Sequence, residues 1–239
     1  MESPVHYKEH GYCPICEADR TFRSLHSWYR DHLLCSGCGS IPRERGLALA
    51  LDRHLPDWRG LAIHESSPAD RGISPKMRKE APGYIATQFF SDEGLGETVR
   101  GIRNENLEQQ TFEDSVFDLV VTLDVMEHVN QPDRVFREIA RTLKPGGTYL
   151  FTVPTYKEKV TSDRRALYGP DGTVEHLAEP EYHGNPISDA GSLVTFHYGY
   201  DLAERIHEWC SMDVEICRFH APSLGIIGEF TEVYRAWKH

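Results

Sequence analysis

At 239 residues, with 39% hydrophobic and 26% charged side chains, the chain is long enough for one sizeable α/β domain plus a small appendage. Its formal charge of −11 argues against a large nucleic-acid footprint, since cations on phosphates dominate such affinity. No run approaches the length of a membrane span and the first residues, MESPVHYKEHGYCPIC, hold no apolar leader core, so the sequence reads as cytoplasmic.

Residues 1–60 hold 8 Lys/Arg and 8 Asp/Glu, so the excess negative charge lies in the later part of the chain. Of the six cysteines, Cys13 and Cys16 form one CxxC pair, and Cys35 and Cys38 form another eighteen residues later. Each CxxC turn aims two thiolates at one point, and two such turns complete a closed tetrahedral zinc site. Residues 1–42 are therefore expected to be a zinc ribbon with a structural ion. His26 and His32, between the pairs, are left as surface residues.

Residues 43–239 form the expected second domain. A helix should start at the Ile41-Pro42 step and run to about His54, burying Leu47, Ala50, Leu51 and Leu55. Arg43 and Arg45 read as a solvated first turn, with an anionic ligand as the alternative. Residues 61–65 should be the first strand, followed by the small-residue loop Ser66, Ser67, Pro68, Ala69, and residues 84–89 the second strand. Residues 117–121, short, apolar and β-branched, read as a central parallel strand. The helix that follows should begin at Gln131-Pro132-Asp133, bury Val135, Phe136, Ile139, Ala140 and Leu143, and close at Lys144-Pro145-Gly146-Gly147. Residues 148–153 supply the next parallel strand.

Ligands of such a sheet sit beyond the carboxyl ends of its strands. That edge collects Leu123, Asp124, Glu127, His128 and Tyr156. Residues 155–200, rich in Pro, Gly, His and Tyr with a turn at Asp171-Gly172, read as an inserted segment building a substrate pocket. Within it the 181–186 and 196–200 runs stand out. His128, oriented by Glu127 or Asp124, is the first candidate for a general base, with His183 and His197 next. Tyr156, Tyr182 and Tyr198 are candidates for holding a polar acceptor. A helix over 201–212 capped by Asp201, then strands over 214–219 and 229–237, should end the sheet as an antiparallel hairpin. Cys210 and Cys217 lie in these elements and read as core.

The words FEDSVFDLVVTLDVMEHV and LKPGG, in that order, resemble the second half of a class I S-adenosylmethionine-dependent methyltransferase of the ubiquinone/menaquinone subgroup, methyltransferase type 11. The resemblance spans roughly residues 60–153. It implies a Rossmann-like, mostly parallel sheet and S-adenosylmethionine as cofactor. On this resemblance Glu65, Ser66, Ser67, Pro68 and Ala69 stand where the family has a glycine-rich cofactor loop, although none of its glycines is present. Gln88 stands near the family's ribose-binding acid, with Asp92 or Glu93 as substitutes, and Asn106 and Leu107 stand at its adenine-binding turn. Leu123 and Asp124 complete the set, Asp124 touching the cofactor amino group.

The function expected is methyl transfer to a small molecule with a hydroxyl, amine or sugar acceptor. An RNA methyltransferase is the second reading, because zinc ribbons also occur on RNA-modifying members of the superfamily. A non-catalytic, methyltransferase-like binding module is the third, favoured by the missing glycines.

Overall fold

Two antiparallel strands, β1 (Tyr7–Cys13) and β2 (Ala18–Ser24), carry the first CxxC pair at their turn, and the short β3 (Leu34–Cys35), paired with β2, carries the second. The computed structural model describes residues 5–169, 171–185 and 188–239; Pro186, singled out with its neighbours in the sequence, lies outside them. Between β2 and β3 a single helical turn, α1 (Tyr29–His32), folds back, and His26 and His32 are exposed with tilted rings 4.2 Å apart.

Helix α2 (Pro42–His54) starts with proline in its first turn, and Glu44 accepts the Ile41 N–H at 3.0 Å, closing the helix start. Leu47, Ala50 and Leu51 are fully buried in one core with Cys13, Phe22 and Leu33. The ribbon strands and α2 therefore share a core. Arg45 is fully buried too and Arg43 is largely withdrawn, its side chain 13% exposed, which corrects the solvated first turn. Arg45 donates to the carbonyls of Leu33 at 2.9 Å and Gly225 at 2.6 Å and lies 4.7 Å from the Phe22 ring centroid. Burial pulls its pKa down to about 10, so it remains charged at neutral pH near Cys13, Cys35 and Cys38.

The central sheet follows from β4 (Ile63–Ser66), α3 (Ile73–Glu80), β5 (Tyr84–Gln88), β6 (Thr98–Val99), β7 (Ile102–Asn104), β8 (Phe117–Leu123), α4 (Pro132–Thr142) and β9 (Leu143–Thr152). Short strands then build the inserted segment: β10 (Asp163–Arg164), β11 (Ala166–Tyr168), β12 (Val174–His176), β13 (Tyr182–Asn185), β14 (Ser188–Leu193) and β15 (Phe196–His197). Helix α5 (Leu202–Cys210) and strands β16 (Asp213–Cys217) and β17 (Val233–Trp237) end the chain. Eight strands make one sheet in the order β16-β17-β9-β8-β4-β5-β7-β6. Strands β7, β5, β4, β8 and β9 run parallel, β6 and β17 flank them antiparallel, and β16 pairs antiparallel with β17. The fold is a Rossmann-like α/β sheet closed by an antiparallel hairpin.

Residues of β8 alternate between two cores, as burial on both faces requires. Leu119 and Val121 pack with Leu47, Leu51 and Ile73, while Val120 packs with Phe136 and Ile139 of α4 and Ile206 of α5. Two local expectations are corrected. Helix α4 stops at Thr142, and Lys144-Pro145-Gly146-Gly147 belongs to β9; the Lys144 ammonium reaches back to Asp118 at 2.8 Å. Asp201 precedes α5 without capping it, because its carboxylate accepts the Ser162 N–H at 2.8 Å and pairs with Arg205 at 2.6 Å. Helix α3 had no counterpart in the sequence reading. Among the described residues, no helix is long and apolar enough to cross a membrane.

Candidate functional site

The carboxyl ends of β4, β5, β8 and β9 open into one cleft of ≈ 1740 Å³, larger than the ~300–1,000 Å³ of a single small-molecule pocket. Its lining includes Ser66, Ser67, Pro68, Ala69, Gln88, Asn106, Leu107, Leu123 and Asp124 on one side. Tyr156, Glu181, His183, Glu127 and His128 line the other. There is room for two ligands.

Backbone turns create the first side. Ser67, directly after β4, takes φ 58, the left-handed conformation usually given to glycine, and its N–H donates to Thr87 O at 2.8 Å. The loop turns without the glycines of the resemblance. Asn106 Oδ1 accepts the Glu108 N–H at 2.9 Å, so that oxygen serves its own turn, and Leu107 is buried beside it. Glu65 is the exception. Its side chain points into α3 and β5, accepting the hydroxyls of Ser74 and Tyr84 at 2.6 Å each, and it is absent from the cleft lining. Burial, only partly offset by these donors, pushes its pKa up to about 7. The expectation that its carboxylate touches cofactor is corrected.

Asp124 stands at the floor with φ 53. Its carboxylate accepts the Thr152 hydroxyl at 2.8 Å and meets two guanidinium groups, Arg30 of α1 and Arg43 of α2, the latter at 2.8 Å. The Arg43 Nε–H does not point along that contact, so this is an ion pair and not a hydrogen bond. Burial would raise the pKa of Asp124, but Arg43 and Arg30 outweigh it and hold the carboxyl below the usual carboxylate range. Its carboxylate is committed to these two cations, and His128 is held instead by the Leu193 carbonyl, 2.9 Å from Nδ1, which corrects the expectation that Asp124 orients that histidine. The pairing of Arg30 and Arg43 with Asp124 went unrecognised in the sequence because nothing local links residues some eighty to ninety positions apart.

Across the cleft, Glu127, His128 and His183 meet. Glu127 has a side chain 2% exposed, and neither carboxylate oxygen finds a hydrogen-bond donor among the described residues. His128 Nε2 lies 3.8 Å and His183 Nδ1 3.7 Å from Glu127 Oε1. His128 Nδ1 is 2.9 Å from the Leu193 carbonyl, which can only accept, so Nδ1 carries the proton and Nε2 is the basic nitrogen. His183 Nε2 contacts Glu181 at 3.3 Å. The inserted segment is pinned here by the Thr195 N–H, which donates to Glu127 O at 2.7 Å.

His197 stands behind this group and outside the cleft lining. It stacks on Tyr156 with centroids 4.2 Å apart, and its Nε2 is 2.7 Å from Glu181 Oε2 and 3.0 Å from the Tyr156 hydroxyl. Burial lowers its pKa although Glu181 opposes this. It orients Glu181 and Tyr156 and faces no ligand, a correction to its expected contact with the acceptor. Tyr198 is 1% exposed with its hydroxyl donating to Met126 O at 3.0 Å, and Tyr182 is 55% exposed on the outer face. Both leave the set of cleft residues; Tyr156 stays. Glu181 opens the 181–186 run that stands out in the sequence but was not among the candidate site residues; it lies directly before β13 and reaches both His183 and His197.

The four thiolates of the ribbon also converge. Cys13 and Cys38 sulfurs are 3.8 Å apart, as are those of Cys16 and Cys35, and all four lie within 4.8 Å of one another. A tetrahedron with metal–sulfur bonds of ~2.3 Å has edges of about 3.8 Å, so the set fits zinc.

A profile of the methyltransferase domain family matches residues 73–151, from α3 through β9. The chain carries a class I methyltransferase domain. The match begins after the Ser66–Ala69 loop, the part where the family's glycines are missing. This domain is 36% identical over 73 residues to the ubiquinone biosynthesis O-methyltransferase of Pseudomonas syringae pv. tomato, which covers 30% of the chain and 31% of that protein. The chain spans less than half the length of the curated relatives it matches. In fold, it is similar to an S-adenosylmethionine dependent methyltransferase from Mesorhizobium loti, at TM-score 0.52 and 15% identity over 81% of this chain and 98% of that one. It is similar also to the glycopeptide N-methyltransferase MtfA complexed with S-adenosylhomocysteine, at TM-score 0.53 and 14% identity over 84% and 91%.

Proposed function

We propose that the chain is an S-adenosylmethionine-dependent methyltransferase acting on a small polar molecule with a hydroxyl, amine or sugar acceptor. The observation that carries this reading is the two-sided cleft, with strand-end loops of the methyltransferase domain on one wall and Glu127, His128, Tyr156, Glu181 and His183 on the other. Ser66 to Ala69, Gln88, Asn106, Leu107 and Leu123 would hold the donor. The inserted wall would hold the acceptor.

Methyl transfer from a sulfonium is an in-line displacement: the acceptor lone pair forms the new bond to carbon while the sulfur–carbon electrons return to sulfur. Much of the rate then comes from holding the two reactants in line. An acceptor that starts protonated must lose its proton, and the Glu127–His128–His183 group is where it can go. Asp70, Asp92, Glu93, Glu105, Glu108, Glu127 and Glu181 make the cleft acidic, against Arg71 and Arg100 as cations not already paired with Asp124. An acidic cleft attracts a sulfonium and repels a phosphate backbone, which favours a small acceptor over RNA. A zinc ion on Cys13, Cys16, Cys35 and Cys38 would be structural, having no open position.

The test is release of S-adenosylhomocysteine from S-adenosylmethionine across panels of phenols, amines, sugars and ribosomal RNA. Turnover with a small acceptor supports the reading. Turnover with RNA alone, or binding of the cofactor without turnover on any panel, overturns it.

A further inference from the structure

A carboxylate withdrawn from water is stabilised by donors or by cations, and one with neither is costly. Glu127 is in that position: its side chain is 2% exposed, and neither oxygen has a hydrogen-bond donor among the described residues. Two imidazole nitrogens lie beside it, His128 Nε2 at 3.8 Å and His183 Nδ1 at 3.7 Å from Oε1. These separations are too long for hydrogen bonds. They are shorter than twice a metal–ligand bond of ~2.0–2.2 Å, so one ion can reach all three.

We infer that Glu127, His128 and His183 form an open binding site for a divalent transition-metal ion on the acceptor wall of the cleft. Four further observations carry it. The three ligand atoms lie within 4.8 Å of one another. Each imidazole is held from its far nitrogen, His128 by the Leu193 carbonyl at 2.9 Å and His183 by the Glu181 carboxylate at 3.3 Å. Such outer partners fix the tautomer that leaves the inner lone pair free for a metal. In charge, a divalent ion is matched by the carboxylates of Glu127 and Glu181. Finally, all three residues line the cleft, so the remaining coordination positions face the space assigned to the acceptor.

Two nitrogens and one carboxylate suit zinc, cobalt, manganese or ferrous iron better than calcium or magnesium. An acceptor hydroxyl on such an ion loses its proton near neutral pH, as metal-bound water does, so the site selects an oxygen acceptor. That last step rests on the methyltransferase reading; ion binding does not.

The experiment titrates Co²⁺ into the full chain as purified, with the ribbon metal in place, and follows the visible absorption. Cobalt on nitrogen and oxygen ligands gives weak bands, whereas thiolate ligation gives intense charge-transfer absorption, so the two sites report separately. Zinc in the ribbon resists exchange, because it binds such ligands more tightly than cobalt. The expected result is one Co²⁺ per chain without thiolate bands. His183→Ala and Glu127→Gln should weaken it by more than the roughly 10–100-fold typical for loss of an outer partner. His183 lies on the half-buried inserted strand, so its variant keeps the test valid if Glu127→Gln fails to fold. Wild-type protein that takes up no cobalt, or takes it up only on thiolates, overturns the site, as does unchanged affinity in His183→Ala. Calorimetric binding of S-adenosylhomocysteine to the same samples tests the methyltransferase reading separately.

Discussion

Two acidic side chains in this domain are withdrawn from water and titrate in opposite directions. Asp124 faces two guanidinium groups and stays charged. Glu65 faces only hydroxyls, so desolvation dominates and its pKa rises from 4.5 to about 7. A carboxyl raised in the fold binds a proton that the unfolded chain has released. Its contribution to stability is therefore fully present below the unfolded value of 4.5 and lost as pH rises through about 7. Glu65→Gln, fixed in the neutral form, is the reference. Denaturant midpoints measured from pH 5 to 8 should show wild type losing stability relative to Glu65→Gln as pH rises. A difference that is flat across that window would mean Glu65 is not held protonated.

Among the elements, the β8–α4–β9 unit was legible because each part carries its own period, a short β-branched run, then Val135, Phe136 and Ile139 at helical spacing. Its end was misread. Lysine and glycines after a helix usually close it, but here Lys144 is drawn to Asp118 and the chain is already in β9. Helix α3 has eight residues with a proline inside, too short for a periodic signal. The cysteine quartet was legible from spacing alone, whereas the pairing of Arg30 and Arg43 with Asp124 was not, because a long-range ion pair leaves no local pattern. Gly225 shows how tightly the late turn is fitted to the ribbon. It takes φ +67, and a Cβ there would lie 2.6 Å from the Phe22 ring and 2.8 Å from Arg45 Nε. Gly225→Ala should destabilise by roughly 1–3 kcal/mol through strain and overpacking, read from chemical denaturation. A change within ~0.5 kcal/mol would mean that turn is free to move.

Across the whole molecule, the ribbon and the cleft are mechanically joined. The ribbon strands share a core with α2, and α1 and α2 deliver Arg30 and Arg43 to Asp124 on the cleft floor. Metal binding in such ribbons supplies folding free energy, so losing it should disturb a site far from the thiolates. Cys35→Ser should lose the ribbon zinc and also weaken S-adenosylhomocysteine binding by about tenfold or more, with the central sheet retained by circular dichroism. Unchanged cofactor affinity in the zinc-free variant would show the two regions to be independent.

The central claim is that a strand-end loop without glycines still holds the methyl donor, through the left-handed turn at Ser67. Titration calorimetry of the wild-type chain with S-adenosylhomocysteine tests it before any acceptor is known. The account predicts saturable binding of one molecule per chain with a dissociation constant below ~1 mM, within the usual range for enzyme ligands. Absence of binding at that concentration, in protein with its ribbon metal intact, would contradict it.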